Sequence, residues 1–175
     1  MKQKSFLRLL LETIGFAYAG NLLAIIVTVS LSAIDTDFMM NVAAFCGIAL
    51  YVVMVFNVGH KYGEYDMKLM RRKIITEPQP NRWIVIGLIV WVLMCVPSIF
   101  VLLQPNSPVS MVTLRLVSGS MFALSLAVGE VDKIPEWSPY LFMGIYAMTP
   151  VLCRVGHYCG YFEKLTMENI MYKKK

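Results

Sequence analysis

Three metal-competent side chains crowd the end of the last apolar run: Cys153, His157 and Cys159. Thiolate and imidazole are the donors a structural zinc ion takes. Cys153 and His157 are four positions apart and would share one face of a helix. Cys159 stands at a different angle, and the next candidate ligand, His60, belongs to another run. Structural zinc takes four such donors at recognisable spacings, so no metal is expected here. The four cysteines (Cys46, Cys95, Cys153, Cys159) lie within or at the end of apolar runs and form no C-x-x-C pair. They read as buried small residues rather than a disulfide framework. There is no G-x-S-x-G, no H-E-x-x-H and no phosphate-binding glycine loop. No catalytic residues and no cofactor are therefore expected.

The remaining chemistry belongs to polar groups inside apolar segments, where each carries a solvation cost. Glu12 follows Arg8 by four residues, and on a helix the two face the same side and can pair. That pair either fixes helix depth or couples a proton or cation. Asn21 lies deeper, among Gly15, Ala17, Ala19 and Ala24, small residues that let helices approach closely. Asn41, with Ala44 and Gly47, suggests a matching face on the next run. Arg115 interrupts a fourth apolar stretch. If Glu12, Asn21, Asn41 and Arg115 lined one cavity, they would make a solute path. If they face separate contacts, they are packing groups.

The elements that position these residues follow from composition. The 175 residues are 58% hydrophobic and 15% charged, against about 45–50% and 25% in soluble domains. A spanning helix needs about 20 apolar residues. Spans are predicted over about 13–34, 38–58, 83–103 and 139–160. Asp35-Thr36-Asp37 makes the first two an antiparallel hairpin, and Trp83, Trp137 and Tyr140 are interfacial anchors. Pro97 should kink the third span. Residues 109–128 are long enough to cross, but Arg115 and four serines dilute them.

Charge counting discriminates between four spans and five. With four spans and both termini inside, 14 of the 16 Lys and Arg fall on the inner side, all but Arg115 and Lys133. With five spans the division is 10 against 6. The positive-inside rule favours four. The expected fold class is therefore an all-α integral membrane helical bundle. It has four transmembrane helices, an outer interfacial or re-entrant segment at 109–128, a cytoplasmic loop at 59–82 and cytoplasmic termini, as one membrane domain. Arg115 then stays near the head groups and avoids about 2.5–3.5 kcal/mol at the bilayer centre.

The sequence V-G-H-x-x-G occurs twice, at Val58–Gly63 and Val155–Gly160. With four spans both copies end an outward-to-inward helix at the cytoplasmic face. With five they end on opposite faces. A two-fold repeat of hairpins and a coincidence both remain open. Gly156 and Gly160 form a G-x-x-x-G, as do Gly59 and Gly63, and the expected use is close helix approach.

Residues 68–75 mix basic and apolar side chains, as a short helix on the inner leaflet would. The net charge of +5 flanks apolar spans, so anionic inner-leaflet lipid is the expected partner and nucleic acid is not. The closing stretch Gly156-His157-Tyr158-Cys159-Gly160-Tyr161 and the end Met171-Tyr172-Lys173-Lys174-Lys175 resemble uncharacterised small multi-pass membrane proteins of Gram-positive Firmicutes. His157 stands where those proteins often carry an aromatic residue. The resemblance implies topology and a bacterial cell membrane, and no activity. Function is expected to be non-enzymatic: an accessory or immunity-type subunit binding a larger membrane protein, or a homo-oligomer. The alternative is a small-solute transporter or channel component.

Overall fold

The computed structural model describes residues 4–33, 37–75, 79–104, 107–121 and 136–162. All regular structure among them is helical. Helix α1 spans Phe6–Ser32, α2 Asp37–Arg71, α3 Pro80–Leu103 and α4 Pro108–Val117. A 3-10 turn follows at Gly119–Met121, then α5 at Ser138–Tyr146 and α6 at Thr149–Tyr161. Each of the last four helices has a proline in its first turn (Pro80, Pro108, Pro139, Pro150). There the missing N–H has no intrahelical partner to lose.

Helices α1, α2 and α3 are long and apolar enough to cross a membrane. Their surface is turned out accordingly. Phe45 is 75% exposed and Leu22 59%, whereas Thr13, Asn21 and Thr28 are buried. Thr13 and Thr28 are silenced locally, each hydroxyl donating to the carbonyl four residues back at 2.8 Å. In water the outer apolar surface would be costly; against lipid tails it is not.

Contacts along the helices fix their directions. Tyr62 meets Glu12 and Gly47 meets Ala24, so α1 and α2 are antiparallel. Arg82 reaches Lys4 and Asn21 reaches Met94, so α3 is parallel to α1. Gly59 faces Cys153 and Gly63 faces His157, so α6 is parallel to α2.

Several expectations need correction. The second helix does not stop near Val58 but runs unbroken to Arg71, so residues 59–71 are helix and not loop. Val55, Val58, Tyr62 and Leu69 are all buried and continue the helical spacing past the charged positions. At 35 residues α2 is about 52 Å long and outreaches a hydrocarbon core of about 30 Å. Residues 68–71 of the basic stretch are thus the last turn of α2 and 72–75 follow it without regular structure, rather than forming a separate surface helix. Lys73, at φ 56°, closes α2, with its N–H on the Met70 carbonyl and that of Ile74 on the Leu69 carbonyl. This paired geometry ends helices by taking up free carbonyls.

The run 139–160 is also not one helix. It breaks between Tyr146 and Thr149. Pro150 has no N–H to give to the Tyr146 carbonyl, and its ring would crowd that oxygen. The Thr149 hydroxyl donates to it instead, at 2.6 Å. The segment expected over 109–128 is described as α4 and the 3-10 turn, and its remainder lies outside the described residues.

Candidate functional site

Two polar clusters hold the bundle, one at mid-depth and one at the end where α2 and α6 carry their V-G-H-x-x-G motifs. The mid-depth cluster centres on Asn21, which is 1% exposed. Its Oδ1 accepts from the Ser120 backbone N–H at 3.1 Å and from the Tyr146 hydroxyl at 3.3 Å. Its Nδ2 faces Met94 Sδ at 3.6 Å. Ser120 Oγ and the Tyr146 hydroxyl are 3.0 Å apart. The Tyr51 ring meets that of Tyr146 edge-on at 4.9 Å, and its hydroxyl is 2.7 Å from Thr149 Oγ1. Asn21 therefore satisfies the backbone of the 3-10 turn, while Thr149 satisfies the break before α6. Buried polar groups are tolerated only when paired in this way. The turn fits because Gly119 has no side chain: a Cβ there would collide with the Asn21 carbonyl and stand 2.6 Å from Ile25.

The second cluster ties four helices. Lys4 Nζ lies 2.8 Å from the Tyr62 hydroxyl and 3.6 Å from Glu12 Oε1. Arg8 Nε pairs with Glu12 Oε1 at 3.1 Å, and the Tyr62 hydroxyl donates to the other Glu12 oxygen. Arg82 donates to the Lys4 carbonyl at 3.1 Å. Trp83 is 1% exposed, between the Tyr62 ring at 5.5 Å and the His157 ring at 5.4 Å. His157 Nε2 is 3.0 Å from Asp66 Oδ2. A cavity of only about 10 Å³ remains among these groups, lined in part by Lys4, Tyr62, Asp66 and Trp83.

The two V-G-H-x-x-G motifs pack on each other. A Cβ on Gly59 would stand 2.6 Å from the Cys153 carbonyl oxygen and 2.9 Å from the His157 nitrogen. A Cβ on Gly156 would run into the Phe56 carbonyl and stand 3.2 Å from the His60 nitrogen. The contacts are reciprocal, three residues before and one after each opposing glycine. Gly63 and Gly160 repeat the pattern: Gly63 against the His157 carbonyl and Gly160 against that of His60. Two backbones this close need glycine at both sides of the contact.

The remaining sequence-derived residues are dispersed. Arg8 and Glu12 pair in the end cluster, and Asn21 joins the mid-depth one. Asn41 is exposed, about 32 Å up α2 from the Tyr62 that holds Glu12. Arg115 is half-buried on α4. None of the described cavities is lined by two of these residues. Gly15 is exposed with open space around it, so the close-packed face of α1 is Thr13, Ala17, Gly20 and Ala24 instead. Cys153 is buried in the core, His157 is taken by Asp66 and Cys159 is half-exposed. Among the described residues no three His, Cys, Asp or Glu side chains converge as metal ligands. Tyr51, Tyr62, Asp66, Tyr146 and Thr149 were not singled out by sequence. Pro150 was the available signal for the last two. No family model, curated protein or solved structure matches the chain.

Proposed function

We propose that this chain is a four-crossing membrane protein with cytoplasmic termini, and that it serves as a non-enzymatic accessory or immunity-type subunit binding a larger membrane partner. In this reading α5 and α6 together make the fourth crossing. Their support is direction: α6 is parallel to α2, as a fourth crossing requires, and α3 is parallel to α1. Residues 107–121 form a re-entrant segment. The chain leaves α3 at Leu103, yet Ser120 meets Asn21, about 17 Å below the outer end of α1. Irregular backbone at that depth is tolerated because Asn21 pairs with it.

One observation carries the functional half of the reading. The polar groups of the two clusters are paired within each cluster, the clusters are separated, and none of the described cavities joins them; the buried Ser98 Oγ and His60 Nε2, which have no hydrogen-bond partner among the described residues, lie outside both. A transport path needs polar groups left for the solute. The chain is instead a well-fastened bundle whose apolar exterior is available to lipid and to other helices. The transporter reading keeps one observation in its favour. An interrupted helix meets an inserted turn at Tyr146 and Ser120, as at the substrate sites of some transporters. Reconstitution separates the two. Copurification from native membranes with one stoichiometric membrane protein, and vesicles that stay tight to ions and small solutes, is the expected result. A flux carried by the purified chain alone and abolished by Asn21→Leu would overturn it.

A further inference from the structure

Between α3 and α6 lies an open groove of about 390 Å³, lined by Ile84, Pro150, Val151, Arg154, Val155 and Tyr158. Four of its six walls are aliphatic, and Val151 and Val155 are 61% and 45% exposed. Arg154 is exposed and has no ion-pair partner among the described residues. It stands one turn above Tyr158, and the tyrosine places the polar end of the groove toward the end cluster. The groove's outer wall is missing, so it opens sideways from the bundle, toward lipid if the membrane reading above holds. The inference rests on that reading.

We propose that this groove is a binding site for one anionic phospholipid of the inner leaflet. Its acyl chain lies along Pro150, Val151 and Val155, and its phosphate pairs with Arg154. The polarity of the groove matches the amphiphile: apolar for most of its length and cationic near the cytoplasmic end. A guanidinium matches a phosphate because two N–H groups can meet two oxygens. A long side chain starting inside the hydrocarbon can reach the head-group level. Basic pockets between spanning helices on the cytoplasmic side take anionic head groups for this reason. A neighbouring protein helix would need a carboxylate placed at that same level and facing the groove, whereas the phosphates of anionic lipid already line it.

The test is lipid retention by the full chain in neutral detergent. Dioleoyl phosphatidylglycerol or dioleoyl phosphatidylcholine is added in equal amount, and bound lipid is counted by native mass spectrometry. Wild type should retain phosphatidylglycerol about fivefold over phosphatidylcholine. Arg154→Gln should reduce that ratio to about one, Arg154→Lys should keep most of it, and Val151→Trp should lower retention of both lipids by filling the groove. Equal retention by wild type, or a preference that survives Arg154→Gln, overturns the proposal. So does a photo-crosslinker at Val155 that captures protein rather than lipid in native membranes. Retention in detergent does not depend on how the chain crosses the bilayer, so failure here is distinguishable from failure of the topology.

Discussion

Gly59 and Gly156 face each other backbone to backbone, each against the residue three before and the residue one after its opposite. This local two-fold relation joins α2 to α6 in parallel. It also gives the repeated V-G-H-x-x-G a physical meaning, because the two copies are the two halves of one contact. Substituting Gly160 or Gly63 by Ala should destabilise the detergent-solubilised protein by about 1–3 kcal/mol, since the opposing atoms are backbone and cannot turn aside. Gly15→Ala and Gly144→Ala place a methyl group in open space. They should be neutral or stabilising, by up to about 1 kcal/mol, because alanine is the better helix former. Equal effects at all four positions would refute the contact.

Asn21 couples three elements, so its removal should not be additive with that of its neighbours. Asn21→Leu leaves the Ser120 N–H and the Tyr146 hydroxyl short of an acceptor and should cost about 1–3 kcal/mol. Tyr146→Phe in the same background should then cost less than it does alone, with a coupling of at least about 0.5 kcal/mol in an unfolding cycle. Additive losses would place the two side chains in separate environments.

The all-helical class and the three long apolar helices were legible because they follow from run length and composition. The antiparallel pairing of α1 with α2 needed only the shortness of the connection between them. The continuation of α2 was not legible, because Lys61, Glu64 and Asp66 mark departure from an apolar run and say nothing about the end of a helix. Only the packing of Tyr62 and Leu69 does that. The break before Thr149 was hidden because 139–160 satisfies the length rule with Pro150 inside it. Asn41 shows the limit of small-residue patterns: Ala44 and Gly47 are buried as a face, while the asparagine one turn earlier is exposed.

Within the end cluster the two cations on Glu12 should differ in value. Arg8 is 65% exposed at its side chain and Lys4 22%. An exposed pair contributes about 0.2–1 kcal/mol at most, so Arg8→Gln should change stability little. Glu12→Gln removes the charge that Arg8 and Lys4 pair with and one of the two oxygens that accept from Arg8 and Tyr62, and should cost clearly more, as should Tyr62→Phe. The unfolding midpoints of the three variants in detergent check the order. An Arg8→Gln loss as large as that of Glu12→Gln would contradict it.

Thiol reactivity reads the same packing without any substitution. Cys153 is fully buried, whereas Cys159 is half-exposed on the far side of the turn. A membrane-permeant maleimide should label Cys159 well before Cys153, and unfolding in detergent should make both react. Equal rates in the folded protein would show that the α2–α6 contact opens readily.

The crossing pattern is tested most directly by single introduced cysteines in a chain whose four native cysteines are replaced by serine or alanine. Gln104→Cys, Glu136→Cys, Ile74→Cys and Phe162→Cys are probed with a membrane-impermeant maleimide on intact cells. The proposed topology predicts labelling at positions 104 and 136 from outside, and at 74 and 162 only after permeabilisation. Labelling of Phe162→Cys in intact cells, with Ile74→Cys still protected, would mean an odd number of crossings and would contradict the account.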